Sequence, residues 1–197
     1  MSNKKKEVLD TMTDDERHEI AVTQRKIDLL QMMKESCYRK GNFKLSSGKE
    51  SEHYINCKNL TLSSTGLRMF SSLMYDMVEE NSSAVAGLTL GADPLVAGVS
   101  LQSYGKLDAF IVRKEPKGHG TQAWIEGPPQ VEGSRVTILE DVITTGGSAI
   151  KAADIMRRAG YQVERVVSIV DRQEGGEHAI MNAGLELKSI FTIEDFK

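Results

Sequence analysis

The sequence has few of the residues that build metal sites and disulfide scaffolds. Only two of its 197 residues are cysteine, Cys37 and Cys57, and their spacing fits no metal motif. The four histidines form neither an HExxH motif nor a paired ligand pattern. In a chain without an export signal we expect reduced thiols, with a disulfide or a catalytic cysteine as the alternative.

Long apolar runs and an excess of basic charge are also missing. No apolar stretch approaches the roughly 18 residues that a membrane span requires. The basic start of the chain has no apolar segment behind it, which argues against a secretory signal. The formal net charge is −3, and a general nucleic-acid binder needs a basic face to neutralise phosphates. We therefore expect a cytoplasmic protein with neither a membrane nor a nucleic-acid partner.

What is present is a globular composition, with 40% hydrophobic and 27% charged residues. Residues 1–23 are a charged N-terminal extension, either a frayed tail or a short exposed helix. Beyond it, helical periodicity and short apolar runs predict helices over 24–40, 65–80, 93–103 and 148–159, and strands over 85–90, 109–112, 136–139 and 163–170. This alternation predicts an α/β fold with a parallel sheet flanked by helices, in one domain over 24–197.

The most informative segment is the strand–turn–helix unit over 136–160. Its strand ends in two acids, Glu140 and Asp141, and a turn over 144–148 opens the next helix. Glycine amides, hydroxyl groups and a helix N-terminus suit this turn to hold a phosphate. Carboxylates beside such a turn suit neutral hydroxyls, for example those of a ribose. The alternative is an N-capping turn with incidental acids.

A second segment, the loop over 113–133, is too long for an ordinary connection. Arg113, Lys114, Lys117 and His119 place four potentially cationic groups within seven residues of it. The loop is predicted to be either a mobile lid that brings cations to an anionic group or a solvated charged loop.

The acid pair followed by Thr-Thr-Gly-Gly-Ser resembles the phosphoribosyl pyrophosphate signature of the type I phosphoribosyltransferases. Within that family, the loop over 113–133 resembles the lid of the orotate-specific enzymes. Residues 43–51 with 54–56 resemble their N-terminal hood over the base, and residues 171–176 resemble the segment that meets the orotate carboxylate. The resemblance implies a type I phosphoribosyltransferase-like sheet, with a small hood over about 24–62 and a core over about 63–197.

The resemblance also implies roles for individual residues. Lys114, Lys117, His119 and Asp141 would be catalytic, and Thr144 and Arg172 would bind orotate, although Arg172 could instead form a surface salt bridge. Phosphoribosyl pyrophosphate would contact Arg113, Lys114, Lys117, His119, Glu140, Asp141, Val142, Ile143, Thr144, Thr145, Gly146, Gly147 and Ser148. Mg²⁺ would bind mainly through the substrate, and a homodimer would share the lid between subunits.

The activity implied is transfer of ribose 5-phosphate from phosphoribosyl pyrophosphate to orotate, a step of pyrimidine (UMP) biosynthesis. A phosphoribosyltransferase for another nucleobase and a non-enzymatic sensor of phosphoribosyl pyrophosphate are the alternatives. Two departures from the family pattern bear on the pyrophosphate site. Ser46 stands where some members have lysine, and Gly91-Ala92-Asp93-Pro94 stands where Tyr-Lys-Gly is common.

Overall fold

The computed structural model describes residues 12–44, 50–117, 124–129 and 131–197. Its helices are α1 (Asp14–Ser36), α2 (Lys58–Thr61), α3 (Ser64–Tyr75), α4 (Asp93–Gln102), α5 (Gly147–Arg158) and α6 (Gly176–Asn182), followed by a 3₁₀ turn at Ile193–Phe196. Its strands are β1 (Tyr38–Lys44), β2 (Glu50–Ile55), β3 (Ala84–Leu88), β4 (Asp108–Val112), β5 (Ile125–Glu126), β6 (Val136–Ile143), β7 (Arg165–Asp171) and β8 (Glu186–Thr192).

A six-stranded sheet with the order β5-β4-β3-β6-β7-β8 forms the centre of the molecule. Strands β4, β3, β6, β7 and β8 are parallel, and only the two-residue β5 pairs antiparallel, with β4. Strands β1 and β2 make a separate antiparallel hairpin. The predicted parallel α/β architecture is confirmed.

Both faces of the sheet are buried, because successive side chains of a strand point to opposite sides. On one face, Val85 of β3 belongs to a core with α1, α3 and α4. On the other face, Ala84 and Ala86 belong to a core with α5 and α6. In α5, Ala149, Ala152 and Ala153 are completely buried there.

The first helix differs from its prediction at both ends. It begins at Asp14, ten residues before the predicted 24, because Thr13 and Glu16 form a reciprocal capping box. It ends at Ser36, four residues before the predicted end at 40, and Gly41-Asn42 falls in the following strand. Those two residues lie at an irregularity in β1, between its pairings at Lys40 and Phe43. The domain boundary predicted between residues 23 and 24 falls inside α1, and the division into extension, hood and core stays a prediction.

The remaining helices and strands either begin and end within a few residues of their predicted bounds or were not predicted. The helix predicted over 65–80 ends at Tyr75, and the strand predicted over 136–139 continues to Ile143 because β7 pairs with it that far. Elements α2, β5, α6 and β8 carry no strong periodicity and were missed. Among the described residues, no helix combines the length and apolarity needed to cross a membrane.

The close packing of α3 against α4 gives a test of the fold. A Cβ on buried Gly98 of α4 would overlap the Ser71 hydroxyl of α3 and lie 2.8 Å from Leu67 Cδ1. We expect Gly98→Ala to lower the free energy of unfolding by about 1–3 kcal/mol in urea. Adding Ser71→Ala should recover part of the loss, because the Ser71 Oγ is buried without a hydrogen-bond partner among the described residues. An unchanged urea midpoint for Gly98→Ala would contradict this packing.

Candidate active site

A cavity of about 480 Å³ opens at the carboxyl ends of β3, β6 and β7. This is the edge where open parallel sheets place their ligands. Five parts of the chain form its walls: the β1–β2 hairpin, the segment after β3, the first residues of the 113–133 loop, the acid pair and the turn after β6. The lining residues are Tyr54, Ile55, Asn56, Lys58, Leu88, Thr89, Leu90, Gly91, Lys114, Glu140, Asp141, Val142, Thr144, Ser148 and Arg172.

The turn after β6 forms its own groove of about 380 Å³, lined by Glu140 and by residues 142–149. Gly146 has φ of +80°, a left-handed conformation that favours glycine, and α5 begins at the next residue. Within the described part of the chain, no side chain caps this helix. The amides of its first turn are therefore available to an anion, as the sequence predicted for a phosphate loop. A Cβ on Gly176 would lie 2.8 Å from the Thr144 carbonyl oxygen, so α6 also depends on glycine to pack beside this loop.

The two acids lie inside β6 rather than after it. Glu140 is 6% exposed, and its Oε2 is buried with no hydrogen-bond partner among the described residues. Burial raises the pKa of Glu140 well above its ordinary value, and the neighbouring charge of Asp141 adds to that rise. Buried polar atoms are normally hydrogen-bonded, so this oxygen at the cavity wall has an unused capacity for one hydrogen bond.

Three parts of the chain lie close to the Asp141 carboxylate. Its Oδ1 accepts a hydrogen bond from the Val142 amide at 2.9 Å, and its Oδ2 lies 3.5 Å from Lys58 Nζ. A Cβ on Gly91 would lie 2.9 Å from both carboxylate oxygens. The segment after β3 can therefore pass this close to Asp141 only because residue 91 is a glycine.

The cations of the 113–133 loop divide into two groups. Lys114 borders the cavity, and its carbonyl oxygen accepts a hydrogen bond from Lys151 Nζ at 2.8 Å. Arg113 and Lys117 instead pair with Glu126 of β5, at 3.2 and 2.5 Å. The hydrogen bond from Lys117 lowers the pKa of Glu126. The two cations are thus held at the base of the loop and do not line the cavity. His119 lies outside the described residues.

Arg172 is only 5% exposed, so the salt bridge that it forms with Glu174 is not the surface contact considered as the alternative. Its guanidinium donates to Glu174 Oε1 at 2.8–2.9 Å, to Ser51 Oγ at 2.8 Å and to the His53 carbonyl oxygen at 3.1 Å. Arg172 therefore joins the end of β7 to the hood strand β2 while it borders the cavity.

The sequence did not single out two parts of the cavity wall. One is Lys58, which lies inside the predicted hood (about 24–62) but was given no role there. The other is the stretch from Leu88 to Leu90, which the sequence predicted as strand; the adjoining Gly91 was noted only as part of a departure from the family pattern, and its approach to Asp141 is seen only in three dimensions. No cluster of three metal-ligating side chains occurs in the part of the chain that the structure describes.

Comparison with known proteins agrees with this geometry. The Phosphoribosyl transferase domain model matches residues 64–193. The orotate phosphoribosyltransferase of Thermosynechococcus vestitus is 51% identical over 173 residues, which cover 86% of this chain and 92% of that protein. This chain belongs to the orotate phosphoribosyltransferase family.

Solved structures of the family share the fold. The Mycobacterium tuberculosis orotate phosphoribosyltransferase in complex with Fe(III) dicitrate superposes with a TM-score of 0.77 at 35% identity, covering 87% of this chain and 98% of that one. The same enzyme in complex with phosphoribosyl pyrophosphate gives a TM-score of 0.73 at 32% identity, with the same coverage.

The burial of Glu140 predicts a pH-dependent stability. Below its ordinary pKa of 4.5, Glu140 is protonated in both the folded and the unfolded chain. As the pH rises, the unfolded chain ionises first, so stability is lost until the pH passes the raised pKa of the folded state. Glu140→Gln should therefore raise the free energy of unfolding at pH 8 by about 1 kcal/mol, with little difference near pH 4.

Urea unfolding of both proteins at pH 4, 6 and 8 measures this effect. Glu19→Gln, at an exposed position of α1, is the matched control and should show no such pH-dependent difference. A Glu140→Gln difference that stays constant across these pH values would contradict the assignment of a raised pKa to Glu140.

Proposed function

We propose that the chain binds phosphoribosyl pyrophosphate and orotate in the cavity and joins them to give orotidine 5′-monophosphate and pyrophosphate. The supporting observation is that one cavity of about 480 Å³ brings together the acid pair, the phosphate loop and Arg172. The M. tuberculosis relative in complex with phosphoribosyl pyrophosphate supports the same substrate here.

In this proposal the ribose 5-phosphate lies along the end of β6 and the start of α5. Residues 144–148 hold the 5′-phosphate through amides and hydroxyls, while Val142 and Ile143 supply backbone on the approach to that loop. Glu140 and Asp141 hold the two ribose hydroxyls. Because burial favours the neutral carboxyl, Glu140 brings less negative charge to a polyanionic substrate than an exposed glutamate would.

Orotate is proposed to bind between the hood and the end of β7. Guanidinium groups bind carboxylates strongly, and Arg172 is the buried guanidinium of this cavity. Its hydrogen bonds to Ser51 and His53 fix its orientation relative to the hood strand. Thr144, which borders both the cavity and the phosphate groove, contributes a hydroxyl to the base.

In the reaction, a bond forms between N1 of orotate and the anomeric carbon, the N1 proton passes to the departing pyrophosphate or to solvent, and the bond to pyrophosphate breaks. The leaving pyrophosphate keeps the electron pair, and the ribose passes through an oxocarbenium-like state, as in glycoside hydrolysis. The negative charge of orotate lies on its carboxylate, and because the departing pyrophosphate can accept the N1 proton, the chain needs no strong general base. Each well-placed donor to the departing pyrophosphate is worth about 3 kcal/mol in the transition state, by analogy with oxyanion-hole donors.

The cations for this step come from the loop over 113–133. Lys114 already borders the cavity, whereas Arg113 and Lys117 must exchange Glu126 for the pyrophosphate. His119 is proposed as a further pyrophosphate ligand or proton donor. Mg²⁺ is proposed to arrive as the complex of the substrate pyrophosphate, whose charge it neutralises. We also propose a cytoplasmic homodimer in which each lid serves the neighbouring site.

The assignment is tested by orotate-dependent release of pyrophosphate from phosphoribosyl pyrophosphate, with uracil and adenine as competing bases. Arg172→Ala should raise the KM for orotate at least about ten-fold more than that for phosphoribosyl pyrophosphate, because one charge-assisted contact is lost. It should also reduce the ratio of kcat/KM for orotate to kcat/KM for uracil, because uracil lacks the carboxylate.

Ser51→Ala is the matched control, since it removes one hood tether of Arg172 and leaves the guanidinium in place. Turnover with adenine but not orotate would reject the substrate assignment. Equal effects of Arg172→Ala on both substrates would make the residue structural.

The shared lid is tested by mixing Lys117→Ala chains with Asp141→Asn chains after unfolding. If the lid acts on the neighbouring subunit, each mixed dimer has one site with both defects and one with neither. Random pairing then restores about a quarter of all sites. Each variant unfolded and refolded alone is the control. Mixed dimers that are present by mass spectrometry but show no recovered activity would reject the shared lid.

A further inference from the structure

Three side chains that border the cavity carry a positive charge, among the residues that the structure describes: Lys58, Lys114 and Arg172. Arg172 is occupied by Glu174 and by the hood. Lys114 belongs to the lid. Lys58 is the remaining cation, and neither the phosphate loop nor the lid includes it.

The backbone of Lys58 is fixed although its side chain is 45% exposed. Its amide donates to Asn56 Oδ1 at 3.2 Å at the start of α2. The flanking Cys57 is completely buried, and Asn59 Nδ2 donates to the Ser36 carbonyl oxygen of α1 at 2.8 Å. The residue is thus anchored at its base while its ammonium group extends into the cavity.

The contact that the ammonium group makes there is loose. Lys58 Nζ lies 3.5 Å from Asp141 Oδ2, beyond the usual hydrogen-bond distance. Ion pairs of half-exposed lysines contribute little to stability and exchange partners readily. An anion that enters this part of the cavity can therefore take over the ammonium group.

The proposed substrate brings such an anion. Its 5′-phosphate and its pyrophosphate are attached at opposite ends of the ribose. With the 5′-phosphate on residues 144–148 and the ribose on the acid pair, the pyrophosphate extends toward the walls formed by Lys58, Lys114 and the Thr89–Gly91 segment. A pyrophosphate beside the Asp141 carboxylate would be repelled unless a cation lay between them.

We propose that Lys58 is a pyrophosphate-binding residue that changes partners when substrate binds. In the free protein it pairs with Asp141. On binding, its ammonium group moves to a pyrophosphate oxygen and leaves Asp141 Oδ2 to accept a ribose hydroxyl. This role rests on the proposed function and adds to it a cation from the hood side of the cavity, which does not depend on lid closure.

The test compares ligands that do and do not carry the pyrophosphate. Calorimetry measures binding of phosphoribosyl pyrophosphate, pyrophosphate and ribose 5-phosphate, each with Mg²⁺, to the full-length chain. Lys58→Met should weaken the affinity for phosphoribosyl pyrophosphate and for pyrophosphate at least about ten-fold. The affinity for ribose 5-phosphate should stay unchanged or increase. Lys58→Arg should retain affinity within about three-fold, since it keeps the charge. Lys34→Met, at an exposed position of α1, is the control and should change none of them.

A second comparison separates direct contact from an effect through Asp141. If Lys58 contacts pyrophosphate, Lys58→Met weakens pyrophosphate binding in an Asp141→Asn background as well. If Lys58 only orients Asp141, the substitution adds nothing there and changes ribose 5-phosphate and phosphoribosyl pyrophosphate equally. That second pattern would overturn the inference.

The two proposals can fail separately. Normal orotate-dependent turnover of the unmodified chain, together with unchanged pyrophosphate binding by Lys58→Met, rejects the role of Lys58 alone. An unmodified chain that binds no phosphoribosyl pyrophosphate rejects both proposals. Urea unfolding of each variant verifies that the compared proteins are folded.

Discussion

An adjacent pair of carboxylates on the central strand β6 is the constraint around which the cavity is built. Two like charges at this spacing, next to a turn with exposed helix amides, cannot both be accommodated without compensation. Burial drives Glu140 toward its neutral form, while Asp141 is paired with the Val142 amide and Lys58. Gly91 then lets the neighbouring segment pass close to the carboxylate without covering it.

The same edge of the sheet connects three otherwise separate parts of the chain. Arg172 ties the end of β7 to strand β2, and Lys58 at the start of α2 reaches Asp141 of β6. Lys151 of α5 holds the Lys114 carbonyl at the start of the lid. The β1–β2 hairpin, helix α2, the central sheet and the first residues of the 113–133 loop are therefore positioned by side-chain contacts around one cavity.

The cations of the 113–133 loop, in contrast, form contacts that can exchange. Arg113 and Lys117 share Glu126, which belongs to the short strand that returns the loop to the sheet. These are exposed ion pairs, and such pairs contribute little to stability. Under the proposed function, a multiply charged pyrophosphate competes with Glu126 for both cations, and the pairing with Glu126 keeps them at the start of the loop until then.

Local sequence patterns predicted the central elements well, because apolar periodicity and turn chemistry act over a few residues. The strand, the Thr/Gly-rich turn and the helix over 136–160 lie where the pattern placed them, apart from the longer β6. The apolar periodicity predicted α1 over 24–36 but missed its exposed first turns, which begin at the Thr13–Glu16 capping box, and it missed α6 and β8. Those last two elements follow the final predicted strand, and β8 is stabilised by its pairing with β7.

The sequence by itself determined the parallel α/β class, the family resemblance, and the acid pair and phosphate loop, since those residues are neighbours along the chain. Only the tertiary structure decided that Lys58 faces Asp141, that Arg172 is buried against the hood, and that Glu126 holds two lid cations. These contacts join residues that are distant in sequence or lie across a strand pairing. Their formation depends on how the sheet brings separate loops to one edge, which no local pattern encodes.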